Sequence, residues 1–187
     1  MSEKFDPTNL ERASQNSIEW EQRLATLWAS IDNYNEDEFF VHMEQLVSEL
    51  PAKNAVALFE RAASFDSTGH SDQAVPLYRE ALERGLSGER RRRAVIQMAS
   101  SLRNLGQASE SVALLQTERE SGSDHLDDAV MAFLALALVD IGREREAVSL
   151  ALSALSDHLP RYQRSVANYA RLLNEDTVSK SDTAIQS

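Results

Sequence analysis

Residues 87–106 read SGERRRRAVIQMASSLRNLG, and its four consecutive arginines are the chain's strongest concentration of a single chemistry. A guanidinium is planar and permanently charged, and grips a carboxylate or a phosphate through two parallel hydrogen bonds. Such a run invites a nucleic-acid reading. The 187-residue chain has a formal net charge of -11, however, so the whole molecule repels a phosphate backbone, and no nucleic-acid partner is expected. Winding residues 90–105 at 3.6 per turn parts the arginines. Val95, Met98, Ala99, Leu102 and Leu105 form an apolar stripe, with Arg93, Gln97, Ser100 and Asn104 roughly opposite and Arg92, Ile96 and Arg103 between. Residues 160–174 repeat the plan, with Tyr162, Val166, Tyr169 and Leu173 on one stripe and Arg161, Arg164, Asn168 and Arg171 on the other. Two helices thus each offer arginine beside asparagine, a set able to hold a carboxylate and a peptide backbone. The competing reading is charge balance within the protein, because the first 60 residues are strongly acidic and exposed ion pairs are weak. Arg90 and Arg91 stand at a helix entrance, where positive charge is mildly unfavourable, and Glu83 and Glu89 are close in sequence to compensate.

Other chemistry is sparse. The absence of cysteine removes disulfides, thiolate metal sites and a thiol nucleophile. His42, His70, His125 and His158 stand far apart, and Glu38, four residues before His42, reads as its partner in a solvated pair. Phosphate loops, dinucleotide fingerprints and nucleophile elbows are not found. Glu36, Asp37 and Glu38 favour the positive end of a helix dipole. These observations predict a protein that is not an enzyme and takes neither cofactor nor metal.

The elements that carry the arginines are helices. Glycine and proline number six and four, and apolar residues recur at spacings of three and four, so about nine helices fill residues 16–174. Asn16 and Glu19 form a candidate capping box for the first helix, whose apolar face holds Trp20, Leu24, Leu27, Trp28 and Ile31. Asn35 and Glu38 form another for the second, which Pro51 stops. The pairs are expected at about 17–50, 52–85, 88–120 and 126–158. Pro160 opens a capping helix over 160–174. Residues 1–15 and 175–187 are polar and unpatterned, and are expected to be flexible tails. The N-terminus carries no apolar run and no stretch reaches membrane-spanning length, so a cytoplasmic protein without a membrane partner is expected.

Gly69, Gly106 and Gly142 recur at 36–37 residues, a helix-pair solenoid period. Seven residues before each stand Ala62, Ala99 and Ala135, and four before stand Phe65, Leu102 and Leu138. Five after come Ala74, Ser111 and Ala147, and nine after come Tyr78, Leu115 and Ala151. The stretch ALFERAASFDSTGHSDQAVPLYREALERGL resembles a tetratricopeptide repeat through Ala62, Phe65, Gly69, Ala74, Tyr78 and Ala81. The family's closing proline is replaced by Leu86. The second unit departs further, with Ser111 and Glu118 in small-residue places, and the third has Ala147, Ala151 and Ala154 with Pro160 one place late. The phrases SLRNLG, GREREA and LPRYQRS resemble a small bacterial group of this type. The resemblance implies an all-α, right-handed superhelix of antiparallel pairs with a C-terminal capping helix. It also implies a non-catalytic scaffold or adaptor for a protein or peptide. The first helix of each pair would line a concave groove, placing Arg93, Ile96, Gln97, Ser100, Arg103 and Asn104 there, with Arg164, Asn168 and Arg171 on the last helix. An acidic peptide or helix would suit that groove.

The seventh helix, AVMAFLALALVDIG, is apolar nearly all round. Its concave strip would be Ala132, Phe133, Leu136 and Val139. A tight curl in which the ninth or first helix covers this strip is the preferred expectation. Otherwise Phe133, Leu136 and Val139 make an apolar floor for a ligand helix, or a self-association surface in a structural homo-oligomer.

Overall fold

The computed structural model describes residues 7–51 and 53–184, with side chains for 15–51 and 53–174. The described residues form nine α-helices and no strand. They are α1 (Pro7–Ala29), α2 (Glu36–Val47), α3 (Ala55–Ser67), α4 (Ser71–Glu83), α5 (Gly88–Asn104), α6 (Ala108–Ser121), α7 (Asp127–Asp140), α8 (Glu144–Ser156) and α9 (Gln163–Ala184), with a 3₁₀ turn at Ile31–Asn33. Each helix packs on the next in sequence. Among the odd-numbered helices α3 also meets α5 and α5 meets α7, whereas the even-numbered helices have no comparable mutual contact. Helices α3, α5 and α7 therefore form a more closely spaced inner layer, and α5 brings one of the two arginine strips to it.

The repeat pattern becomes packing. Ala62, Ala99 and Ala74 are fully buried, Ala135 and Ala147 nearly so, because a methyl group in these places lets paired helices approach. Tyr78, Leu102, Leu115 and Leu138 fill the space beside them. Three clusters join along the chain: one between α1, α2 and the start of α3, one over α3–α5, and one over α5–α8. Val56 bridges the first two and Leu114 the last two.

The turns recur as closely as the core. Gly106 has φ 75°, a left-handed conformation that side chains resist, and Gln107 N–H donates to Leu102 C=O at 2.8 Å. His70 donates to Phe65 and Arg143 to Leu138 in the same way. One repeat position thus serves twice, packing against the core through its side chain and closing the turn through its carbonyl.

The structure revises several boundaries. The Asn35–Glu38 capping box is present with both of its hydrogen bonds. The Asn16–Glu19 box is not a helix start, because α1 begins at Pro7, whose fixed φ suits a first helical position, and Asn16 lies well inside it. Pro160 does not open α9. Tyr162 takes a left-handed φ of 70°, interrupting the helix, and Val166 N–H to Tyr162 C=O closes the first turn of α9. Helix also extends into both segments expected as tails, from Pro7 at one end and to Ala184 at the other.

Candidate functional site

The arginine run is largely answered by the protein's own acids. Arg90 donates to both oxygens of Glu21, at 3.0 and 2.6 Å, and to Glu60 at 2.9 Å. Glu60 is buried and also accepts from Trp28 Nε1 at 2.9 Å. Arg91 reaches both oxygens of Glu118 through one nitrogen. Arg92, itself buried, donates to Asp127 at 2.6 Å and lies 3.2 Å from Asp124. Asp127 is held below the usual carboxylate range by the Ser123 hydroxyl and the Asp124 N–H, aided by Arg92. The compensating acids are Glu21, Glu60 and Glu118, distant in sequence, and not Glu83 or Glu89.

Glu118 explains the unusual second unit. It occupies a small-residue place on α6, is 2 % exposed, and tolerates that burial because Arg91 and Arg92 reach it from α5. No periodicity argument would have paired these residues. The one visible signal was a carboxylate where the repeat asks for alanine.

Arg93 differs from its neighbours. It is half-buried, and no carboxylate among the described residues meets it. Its guanidinium lies over the Phe59 ring of α3, 5.4 Å from the centroid. Gln97 and Ser100 follow on the same face, half-buried, and Asn104 is exposed. Ile96 does not belong to this strip: it is 5 % exposed and packs in the cluster shared with α7. Arg103 is engaged by Asp140 at 2.6 Å, and the Asn104 amide donates to the Ser71 hydroxyl at 3.3 Å.

The apolar strip of α7 is open. Leu136 and Val139 are 48 % and 49 % exposed and Phe133 is half-buried. The expected cover is missing, because α9 packs on α8 without comparable contact to α7, and α1 packs on α2. The α9 residues also turn out differently. Ala170 is its fully buried residue, with Val166 and Leu173 partly buried beside it, while Tyr162 and Tyr169 are exposed. The packed face is thus centred on Ala170, whose carbonyl accepts from the Ser149 hydroxyl at 2.7 Å. Arg164, Asn168 and Arg171 are exposed on α9, with Arg171 donating to Asn168 at 3.1 Å. The structure therefore sets α5 beside α7, and packs α9, with its own strip, on α8.

A cleft of about 740 Å³ opens at the entrance to α5, lined by Lys53, Arg84, Arg90 and Arg93 with Glu89 as its acid. No group of three or more potential metal ligands occurs among the described residues. No helix among them is long and apolar enough to cross a membrane.

A family model described as tetratrico peptide repeat matches residues 55–173. No curated protein matches the chain. Two crystal structures of the nearly identical TPR-like repeats of a protein described as a kinesin light chain, from Podosopora anserina, are similar in fold. One, a single-site variant, is 18 % identical with a TM-score of 0.63, and the other is 17 % identical with a TM-score of 0.62. Each comparison covers 90 % of this chain and 92 % of the other.

Proposed function

The chain belongs to the tetratricopeptide-repeat family, and from that premise we propose that it is a non-catalytic scaffold whose inner α5–α7 surface holds an acidic, partly apolar peptide or helix. Repeats of this kind generally mediate protein–protein interaction, while fold alone does not choose a ligand. The choice is carried by an unmatched cation, Arg93, on one inner helix and an open apolar strip on the adjoining one. Arg93 is the member of its run that no carboxylate of the described chain meets, whereas Leu136 and Val139 on the adjoining inner helix are about half exposed. An amphipathic segment with a carboxylate near its apolar face answers both features. Arg103 contributes less, because Asp140 already engages it. Gln97 and Ser100 supply polar groups between the cation and the apolar strip. The setting we propose is cytoplasmic.

Panning a random peptide library on the immobilised protein tests this reading. Enriched peptides should combine Asp or Glu with large apolar residues, and should be lost with Arg93→Glu and with Leu136→Lys. Enrichment of neutral or basic peptides, or of acidic peptides that bind both variants equally, would refute it.

A further inference from the structure

The repeat fills one crevice between its units and leaves the preceding one open. Between α5 and α7 the filler is the buried Arg92, which donates to Asp127 at 2.6 Å and to the Gly122 carbonyl at 3.4 Å and lies 3.2 Å from Asp124. Ala62 and Ala99 share a repeat position, so the α3 residue in the place of Arg92 is Ala55. Counting from Ala81 and Glu118 sets Gly85 in the place of Gly122. Counting from Ala99 and Ala135 sets Gly88 and Arg91 in the places of Asp124 and Asp127. Between α3 and α5 both the long side chain and its two acids are therefore replaced. What stands there is the cleft of about 740 Å³ at the entrance to α5, with Ala55 and Gly85 in its lining. That volume falls within the range of about 300–1,000 Å³ typical of small-molecule sites.

The walls of this cleft carry hydrogen-bond donors that lack acceptors. Lys53 and Arg93 meet no carboxylate among the described residues. Asn54 spends its Oδ1 on the Val56 and Ala57 N–H groups, and its amide N–H₂ has no partner among the described residues. Arg84 spends Nε and Nη2 on Glu80 and keeps Nη1. Arg90 is fully engaged by Glu21 and Glu60. Glu89 is the one acid in the lining, and it lies 3.8 Å from His125. With Glu21, Glu60 and Glu80 counted, four acids match the four cations of the cleft, so an anion is held there by unmet donors and not by net charge. Donors from three segments suit an acceptor whose oxygens leave one plane. A phosphomonoester presents three such oxygens, whereas a carboxylate presents two in a plane. Val56 and Leu86 in the lining offer its organic part an apolar contact. We propose that this cleft binds a phosphomonoester, with Lys53, Asn54, Arg84 and Arg93 donating to its phosphate. The site goes beyond the α5–α7 surface and shares only Arg93 with it.

Isothermal titration calorimetry of the full chain with phenyl phosphate tests this, at constant ionic strength and with benzoate as the planar carboxylate. Phenyl phosphate should bind one to one, and benzoate at least about tenfold more weakly, the worth of one charge-assisted hydrogen bond. Lys53 has a left-handed φ of 64°, so Lys53→Gly removes the ammonium and suits the turn. Arg84 is exposed, and neither Lys53→Gly nor Arg84→Gln should change helix content by circular dichroism. Each should weaken phenyl phosphate about tenfold. Leu136→Lys, which spoils the α7 strip, should leave phenyl phosphate unchanged, so the cleft and the peptide surface fail separately. A short phosphoserine peptide titrated in parallel separates the two sources of the phosphate. Tighter binding than phenyl phosphate assigns a phosphorylated partner chain, and equal or weaker binding a free small molecule. Absence of binding by both phosphates, benzoate as tight as phenyl phosphate, or full affinity in either cleft variant would overturn the proposal.

Discussion

Removing Arg91 should destabilise the protein more than removing Glu118, although Glu118 is the buried member of the pair. The Glu118 side chain is 2 % exposed and that of Arg91 41 % exposed. In Arg91→Ala the carboxylate stays buried, and its nearest remaining cation is Arg92 Nε at 3.7 Å, too far for a good hydrogen bond. Leaving one charge of a buried pair uncompensated costs about 3–5 kcal/mol, and the nearby Arg92 places this case at about 3. In Glu118→Ala the outcome differs on both sides. Arg91 turns to water, Arg92 keeps Asp127 at 2.6 Å and Asp124 at 3.2 Å, and alanine restores the residue type the repeat uses. An ordinary loss of about 1 kcal/mol is expected. The double variant should match Glu118→Ala, a coupling of about 3 kcal/mol within the pair. Urea unfolding followed by helix circular dichroism measures this. A difference of about 2 kcal/mol moves the midpoint by about 1 M at a typical slope. Equal losses from the two single variants, or additive losses in the double variant, would refute the reasoning.

Three further outcomes follow from local geometry. Asp66 is held above the usual carboxylate range by burial, opposed by the hydrogen bond from the Ser101 hydroxyl at 2.5 Å. A raised folded value means its stabilising contribution is complete below the unfolded value of about 4 and is lost as pH rises through the folded one. Asp66→Asn should therefore raise the melting temperature at pH 7 more than at pH 4, and an equal change at both would contradict this. Gly106→Ala should cost about 1–2 kcal/mol from left-handed backbone alone, since nothing stands within 4 Å of an added Cβ, and denaturant unfolding reads it. Arg103→Ala should cost less than about 1 kcal/mol, because its pair with Asp140 is partly solvated, and high salt should shrink even that difference.

The helix-pair architecture was legible in the sequence because it rests on short-range devices. A glycine that turns the chain, an alanine seven places earlier and a large apolar residue four places earlier all act within about two helical turns. The charge pairing was not legible, because Arg90 meets Glu21 across 69 residues and Glu60 across 30, and no periodicity links them. The reach of α1 and α9 was misjudged for a different reason. Residues 8–15 and 175–184 lack apolar patterning, but they also lack glycine and proline, so nothing in them stops a helix already under way. The strip Arg93, Gln97, Ser100 and Asn104 was correctly seen as one face of α5. Ile96 was misplaced because the contact between α5 and α7 widens the buried face beyond the stripe that a single helix shows.

The salt link at Arg90 bears on how the protein opens. In a solenoid each unit ordinarily feels only its neighbours, so terminal pairs can fray on their own. Arg90 joins α1 and α3 to α5, tying the first pair to one that is not its neighbour. Opening α1 would strip a carboxylate from a guanidinium that is three-quarters buried, so the N-terminal pair should exchange its amide hydrogens together with α5 and not ahead of it.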